Sequence, residues 1–203
     1  MSPLLLVRHG NTEFNSALKF QGHSDIKLSY TGYRQAERLR DRLAVEEIDT
    51  IYSSDLSRAL ATAEIISSRH KISIITCPEL REINFGELEG LTFEEISQSH
   101  PEISQSWANL SHTLKFPGGE SFEELNNRVM IFIDRLKEHD SGEKILIVAH
   151  GAPLRLLICQ LLGIDLRHWW QIRLDLASLS ILETYPQGTI VNSLNDISYL
   201  KGV

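Results

Sequence analysis

The sequence is poor in cysteine, with only Cys77 and Cys159 among its 203 residues. Two cysteines cannot build a disulfide framework, and neither has a cysteine or histidine partner at zinc-finger spacing. The pattern predicts two reduced, buried thiols, which is typical of cytoplasmic proteins because their compartment keeps thiols reduced.

Long apolar runs are also missing. The most apolar stretch, residues 152–164, is interrupted by Arg155 and Gln160 and is too short to span a bilayer. The apolar run near the N-terminus stops at Arg8 and lacks the basic start, long apolar core and cleavage site of a signal peptide. We therefore expect a cytoplasmic protein with no membrane partner.

Positive charge is in deficit, because 20 Lys and Arg residues face 27 Asp and Glu residues and give a net charge of −7. This balance argues against nucleic acid or anionic lipid as a partner. Hydrophobic residues make up 42% and charged residues 23% of the chain, which excludes a disordered or fibrous protein. A site for an anion must therefore be a local cluster of positive groups.

The pattern of apolar residues predicts one α/β domain over residues 1–203, since no repeat or Pro-, Gly- or Ser-rich linker divides the chain. Predicted strands lie at 3–7, 50–53, 72–76, 144–149, 177–182 and 189–194, and predicted helices at 31–44, 55–69, 122–139, after Thr92 and from 151 onward. Alternating strands and helices are typical of a three-layer, doubly wound, mostly parallel sheet with helices on both faces. Residues 88–119, with Trp107 and Phe116, are predicted to form a small helical cap.

His9 and His150 occupy equivalent positions, since each follows a wholly apolar strand and each precedes a glycine. Ligands of open α/β sheets bind at the carboxyl ends of the strands, so the two imidazoles meet there if their strands are neighbours. Arg8 adds a guanidinium fork suited to phosphate oxygens, and Gly151 opens a helix whose N-terminus attracts anions. A lone histidine after a strand is usually structural, but this repeated pattern favours a phosphate pocket.

Motifs along the whole chain extend this pattern. Residues 8–15 read RHGNTEFN and match the signature RHG-x-T-x-x-N. Further matching blocks lie at 21–22, 28–36, 52–63, 80–90, 117–121 and 149–151. These blocks occur in the same order as in the histidine phosphatase superfamily, also called phosphoglycerate mutase-like. The sequence therefore resembles that family.

The resemblance implies a phosphohistidine mechanism. His9 would attack phosphorus, and Arg8 and Arg58 would bind the phosphoryl oxygens and lower the pKa of His9. His150 would hydrogen-bond the transferring group. Glu82 would be the general acid, which must be protonated in the first step, and then the base that activates water.

Other residues are expected to contact phosphate or substrate, namely Thr12, Asn15, Gln21, Gly22 and Gly151. Thr12 and Asn15 have an alternative role as caps of a short helix. We expect no cofactor, and no metal, because no cluster of histidines and carboxylates has metal-ligand spacing. The partner expected is a small phosphorylated metabolite, bound by a monomer or homodimer.

The remaining histidines and tryptophans have mainly structural interpretations. His23 follows a motif that contacts substrate in the family. Solvated histidines are predicted at 70, 100, 139 and 168, and core or subunit contacts at Trp169 and Trp170.

The compact segment between Glu82 and His150 favours a phosphatase over a phosphoglycerate mutase. The motifs look most like the branch of α-ribazole phosphatases and broad-specificity phosphatases, with α-ribazole 5'-phosphate as a candidate substrate. Phosphoserine phosphatases are also similar but carry a histidine where this chain has Phe85. An apolar Phe85 suits an apolar or ring-bearing leaving group. A mutase, a phosphoserine phosphatase and a catalytically inactive phosphate-binding module stay open as alternatives.

Overall fold

The computed structural model describes residues 2–108 and 114–203, and its centre is a six-stranded sheet. The strands are β1 (Ser2–Arg8), β2 (Thr50–Ser53), β3 (Ile74–Thr76), β4 (Ile145–Ala149), β5 (Leu179–Tyr185) and β6 (Gly188–Asp196). They lie in the order β3-β2-β4-β1-β5-β6. β1 to β4 are parallel to one another, and β5 pairs antiparallel with both β1 and β6.

Helices cover both faces of this sheet. They are α1 (Glu13–Ser16), α2 (Tyr30–Leu43), α3 (Ser57–Ser67), α4 (Phe93–Ser99), α5 (Pro101–Ala108), α6 (Phe122–Leu136) and α7 (Gly151–Leu162). The predicted fold class, a mostly parallel α/β sheet with helices on both faces, is confirmed.

Alternating side chains of β1 belong to two different cores, which explains the wholly apolar strand. Leu4 and Leu6 pack in the core that includes residues of α6 and α7. Leu5 and Val7 pack in the core on the other face, with residues of α2 and α3. A strand covered on both faces has no polar side, so its sequence does not alternate.

The register of β1 and β4 determines where the site forms. Arg8 lies opposite Ala149, so both strands end at the same level and His9 and His150 follow them there. The backbone N–H of His9 donates to the carbonyl oxygen of Ala149 at 3.0 Å.

Local signals in the sequence set most helix starts. Thr92 and Ser121 each form the predicted capping box, in which the hydroxyl accepts from the backbone of the third helical residue. The predicted end of α6 near His139 is wrong, since the helix ends at Leu136 with Lys137 as its cap. β5 begins at Leu179 rather than at residue 177 and runs past its predicted end, because β5 and β6 pair up to the turn between Tyr185 and Gly188.

The prediction that His139 is solvated is wrong. Its side chain is 13% exposed, because Nε2 bonds the hydroxyl of Tyr52 at 2.8 Å and Nδ1 contacts Glu143. Both cysteine thiols are free and buried, as predicted.

The segment predicted as a cap carries α4 and α5. Within it Trp107 lies beside Phe116, with their ring centroids 5.7 Å apart. Part of the predicted cap, residues 109–113, lies outside the described residues, and the limits of the cap and the single domain stay predictions. Over the described ranges, no helix combines the length and apolarity that crossing a membrane requires.

Candidate active site

The two strand-end histidines lie side by side. The ring centroids of His9 and His150 are 4.9 Å apart and the ring planes are inclined by 58°. The proximity expected from the sequence is therefore confirmed.

His9 is arranged as a neutral imidazole with one unprotonated nitrogen. Its Nδ1 lies 2.7 Å from the carbonyl oxygen of Gly10, so Nδ1–H donates and the lone pair resides on Nε2. Burial lowers the pKa of His9 well below its usual 6.5, and the charges of Arg58 and Arg8 lower it further. At neutral pH the ring is uncharged, which is the form that can act as a nucleophile.

His150, which follows β4, is completely buried. Its Nδ1 accepts from Nε of Arg58 at 3.2 Å, and its Nε2 lies 2.8 Å from the hydroxyl of Ser54. Burial, followed by the charge of Arg58, lowers the pKa of His150 well below 6.5. The ring is therefore neutral and held from both sides.

Arg58 lies at the start of α3 and is fully buried, so it is not a solvated residue of the helix surface. Its Nη1 donates to the carbonyl oxygen of Ser24 at 2.9 Å, and its Nη2 donates to that of Gly22 at 2.7 Å. Burial lowers the pKa of Arg58 to about 10, which leaves the guanidinium charged at neutral pH.

Glu82 is buried and bonded to the N-terminus of α7. Its carboxylate accepts from the backbone N–H of Gly151 at 3.0 Å and from that of Ala152 at 3.1 Å. The N–H of Ile83 donates to the same group at 3.0 Å. The carboxyl group of Glu82 therefore occupies the N-terminus of α7, and direct contact of Gly151 with phosphate stays a prediction.

His9 and Glu82 border a cavity with a volume of about 200 Å³. Its wall comprises Arg8, His9, Asn15, Lys19, Phe20, Gln21, Glu82, Ile83, Phe85, Trp107, Gly151, Ala152, Arg155 and Trp169. Four predicted site residues, Thr12, Gly22, Arg58 and His150, lie behind this wall. The wall combines polar and charged side chains with the aromatic rings of Phe20, Phe85, Trp107 and Trp169.

Two buried donors on the wall have no hydrogen-bond partner within the described residues, Nε of Arg8 and Nε2 of Gln21. Nη1 of Arg8 donates to the carbonyl oxygen of Leu174 at 2.7 Å, which fixes the guanidinium beside His9. Burial of an unpaired donor is costly unless a ligand accepts from it. Both donors belong to residues of the same wall as His9 and could serve an oxyanion bound in the cavity.

Thr12 and Asn15 form a capping box at the start of α1, the alternative that the sequence left open. The hydroxyl of Thr12 also donates to Oε1 of Gln21 at 2.6 Å, which orients that amide. Thr12 thus acts on the cavity through its neighbours, whereas Asn15 lies on the wall.

Gly22 and His23 contact other site residues rather than the cavity. A Cβ on Gly22 would lie 2.4 Å from the carbonyl oxygen of Ile83, so no side chain fits there. Nε2 of His23 bonds the carbonyl oxygen of Glu82 at 3.0 Å.

Sequence reasoning missed Arg155 as a wall residue. It lies one turn into α7, where its Nε donates to the carbonyl oxygen of Ile172 at 2.7 Å and its guanidinium lies 5.5 Å from the ring of Trp169. A charged residue on a helix that is otherwise largely buried was the available signal. Within the described residues, no group of three or more His, Cys, Asp or Glu is placed to hold a metal ion.

Comparison with known proteins identifies the family. The model of the histidine phosphatase superfamily, branch 1, matches residues 4–197. The chain belongs to this superfamily. Membership supports phosphatase activity, because relatives in this superfamily include proteins that are named phosphatases.

Relatives of this histidine phosphatase carry several different names. Phosphoserine phosphatase 1 of Hydrogenobacter thermophilus is 34% identical over 98% of this chain and 95% of its own. Phosphoglycerate mutase-like protein 4 of Arabidopsis thaliana is 38% identical over 76% of this chain and 68% of its own. The crystal structure of the α-ribazole phosphatase from Shigella flexneri aligns with a TM-score of 0.88, 32% identity and 96% coverage of both chains.

Proposed function

We propose that this histidine phosphatase is a metal-independent phosphomonoesterase that works through a phosphohistidine intermediate. The observation that carries the proposal is the unprotonated Nε2 of His9 beside the unpaired Nε of Arg8 in one cavity. The first is a nucleophile and the second a donor for a phosphoryl oxygen.

In the first step, Nε2 of His9 attacks phosphorus while the bond from phosphorus to the ester oxygen breaks. Arg8 and Arg58 offset the negative charge of the phosphoryl oxygens. The departing oxygen takes the proton of Glu82, so the alcohol leaves neutral and Glu82 becomes ionised.

In the second step, Glu82 accepts a proton from water as the water oxygen attacks phosphorus. The bond to Nε2 of His9 breaks, and inorganic phosphate leaves. The N–H groups of Gly151 and Ala152 bond the carboxyl group of Glu82 and hold it at the cavity wall.

The aromatic part of the wall supports a small phosphorylated metabolite with an apolar or ring-bearing leaving group. Phe20 and Phe85 meet edge to face, and Trp107 packs on both at 5.6 and 6.0 Å. α-Ribazole 5'-phosphate carries such a ring, and the Shigella relative is named for it. Phosphoserine and phosphoglycerate are the alternatives that the other relatives favour.

Hydrolysis of p-nitrophenyl phosphate in EDTA tests the proposed chemistry. We expect activity in the presence of the chelator, because protein cations replace a metal in this site. His9→Ala removes the nucleophile and is expected to lower kcat by at least about 1,000-fold. His168→Ala, which changes an exposed histidine, is the matched control and keeps full activity. Unchanged turnover in His9→Ala contradicts the mechanism.

A further inference from the structure

The backbone around Glu82 is held by one guanidinium, that of Arg128 on α6. Nη1 of Arg128 donates to the carbonyl oxygens of Glu79 and Arg81, and Nη2 donates to that of Glu82 at 2.9 Å. His23 bonds the last of these oxygens as well. Arg128 therefore contacts three carbonyls within four residues of chain.

Glu120 accepts the remaining bonds of this guanidinium. Nε of Arg128 donates to Oε1 of Glu120 at 2.7 Å, and Nη2 donates to Oε2 at 2.8 Å. The five contacts equal the five N–H donors that an arginine has. Oε2 of Glu120 also accepts from the backbone N–H of Asn84 at 3.1 Å. The pair thus hydrogen-bonds the backbone on both sides of Glu82.

This pair is partly buried, with the side chains of Arg128 and Glu120 17% and 13% exposed. Neither lines the cavity. A partly buried, bidentate ion pair of this kind fixes geometry more surely than it adds stability. Its effect on the reaction must pass through Glu82.

Glu82 is consequently anchored at both ends. Its carboxylate is bonded to the N-terminus of α7, and its carbonyl to Arg128. Proton transfer to a departing oxygen depends steeply on distance, and a displacement of 1 Å costs on the order of 100-fold in rate. Lysine has three donors without a planar fork and cannot reproduce the five contacts.

We propose that the Arg128–Glu120 pair is a positioning device that holds Glu82 where it protonates the leaving group. This inference rests on the acid role proposed above for Glu82. It makes Arg128 and Glu120 determinants of general-acid catalysis although neither touches substrate.

Two substrates of different leaving-group basicity test this role. Benzyl phosphate releases an alkoxide that needs a proton, whereas p-nitrophenyl phosphate releases a stable anion that does not. The quantity measured is kcat/KM, because it covers the steps up to cleavage of the ester bond. Loss of a positioned acid lowers kcat/KM for the first substrate selectively, and general damage lowers both.

Arg128→Lys is expected to lower kcat/KM for benzyl phosphate about 30- to 100-fold and that for p-nitrophenyl phosphate less than about threefold. Arg135→Lys is the matched control on the same helix. Arg135 bonds the thiol of Cys77 and the side chain of Glu79 but not the backbone at Glu82. We expect Arg135→Lys to change kcat/KM only slightly and by the same factor for both substrates.

Glu120→Gln is a second variant that keeps the volume of the pair and removes its charge, and it is used if Arg128→Lys does not fold. The same selective loss is expected. Equal losses for both substrates in the folded variants, with selective loss in Glu82→Gln, overturn the positioning role alone. Equal losses in Glu82→Gln itself overturn the acid role of Glu82 and the inference with it.

Discussion

At the scale of single residues, the site depends on the protonation of His9. Its Nδ1–H is committed to the carbonyl of Gly10, and its burial beside Arg58 and Arg8 disfavours the imidazolium. The chain carries a net charge of −7, yet the groups nearest His9 are positive. A local cluster therefore opposes the overall charge, as the composition required of any anion site.

The lowered pKa of His9 predicts a pH dependence. A lowered pKa means that the neutral ring persists as the pH falls, so the midpoint of its titration lies below 6.5. NMR titration of the free protein, with the resonance assigned from its loss in His9→Ala, measures this midpoint. A midpoint at 6.5 or above contradicts the burial of His9 beside two arginines.

The dependence of kcat/KM on pH should be bell-shaped, and a flat profile between about pH 5 and 8 contradicts the proposed acid and nucleophile.

At the scale of secondary structure, α2 approaches the loop after β1 backbone to backbone. A Cβ on Gly32 would lie 2.1 Å from the carbonyl oxygen of Asn11, and a Cβ on Gly10 would lie 2.6 Å from the carbonyl oxygen of Gly32. The glycine after His9 is thus required for close packing. The two glycines let α2 hold the loop that carries His9.

Gly32→Ala tests this contact. Replacing glycine by alanine inside a helix normally stabilises by about 1 kcal/mol. Here the clash with backbone dominates, and we expect a loss of about 1–3 kcal/mol in the free energy of unfolding, measured in urea. Thr31→Ala on the exposed side of the same helix is the control and should be neutral or slightly stabilising. A stabilised Gly32→Ala protein excludes the close approach.

At the scale of the whole molecule, the cavity joins segments from most of the chain. His9 follows β1, Glu82 lies in the connection after β3, and Gly151 opens α7 after β4. A ligand that bridges these segments binds only the folded state, so it stabilises the entire molecule.

Inorganic phosphate, the product of the proposed reaction, is therefore expected to raise the melting temperature. At a phosphate concentration 100 times its Kd, the gain is about 2.7 kcal/mol. For a chain of this size that amounts to about 5–10 °C in a thermal scan. Arg8→Met, which removes an unpaired donor from the wall, should abolish most of the shift, whereas chloride at equal ionic strength should produce none. An equal shift in Arg8→Met excludes the proposed phosphate site.

Local patterns in the sequence determined much of this protein. The apolar strands that end at His9 and His150, the caps at Thr92 and Ser121 and the alternation of strands with helices all follow from neighbours in the chain. Such features depend on periodicity and hydrogen bonds a few residues apart, which a sequence displays directly.

Only the tertiary structure decided which groups face the cavity. Arg155 lines the cavity, whereas Arg58 and His150 do not, and their contact with substrate stays a prediction. Arg128 reaches the backbone of Glu82 across 46 residues of chain. These contacts depend on how helices pack on the sheet and on the direction of each side chain, and neither is encoded in the spacing of residues along one segment.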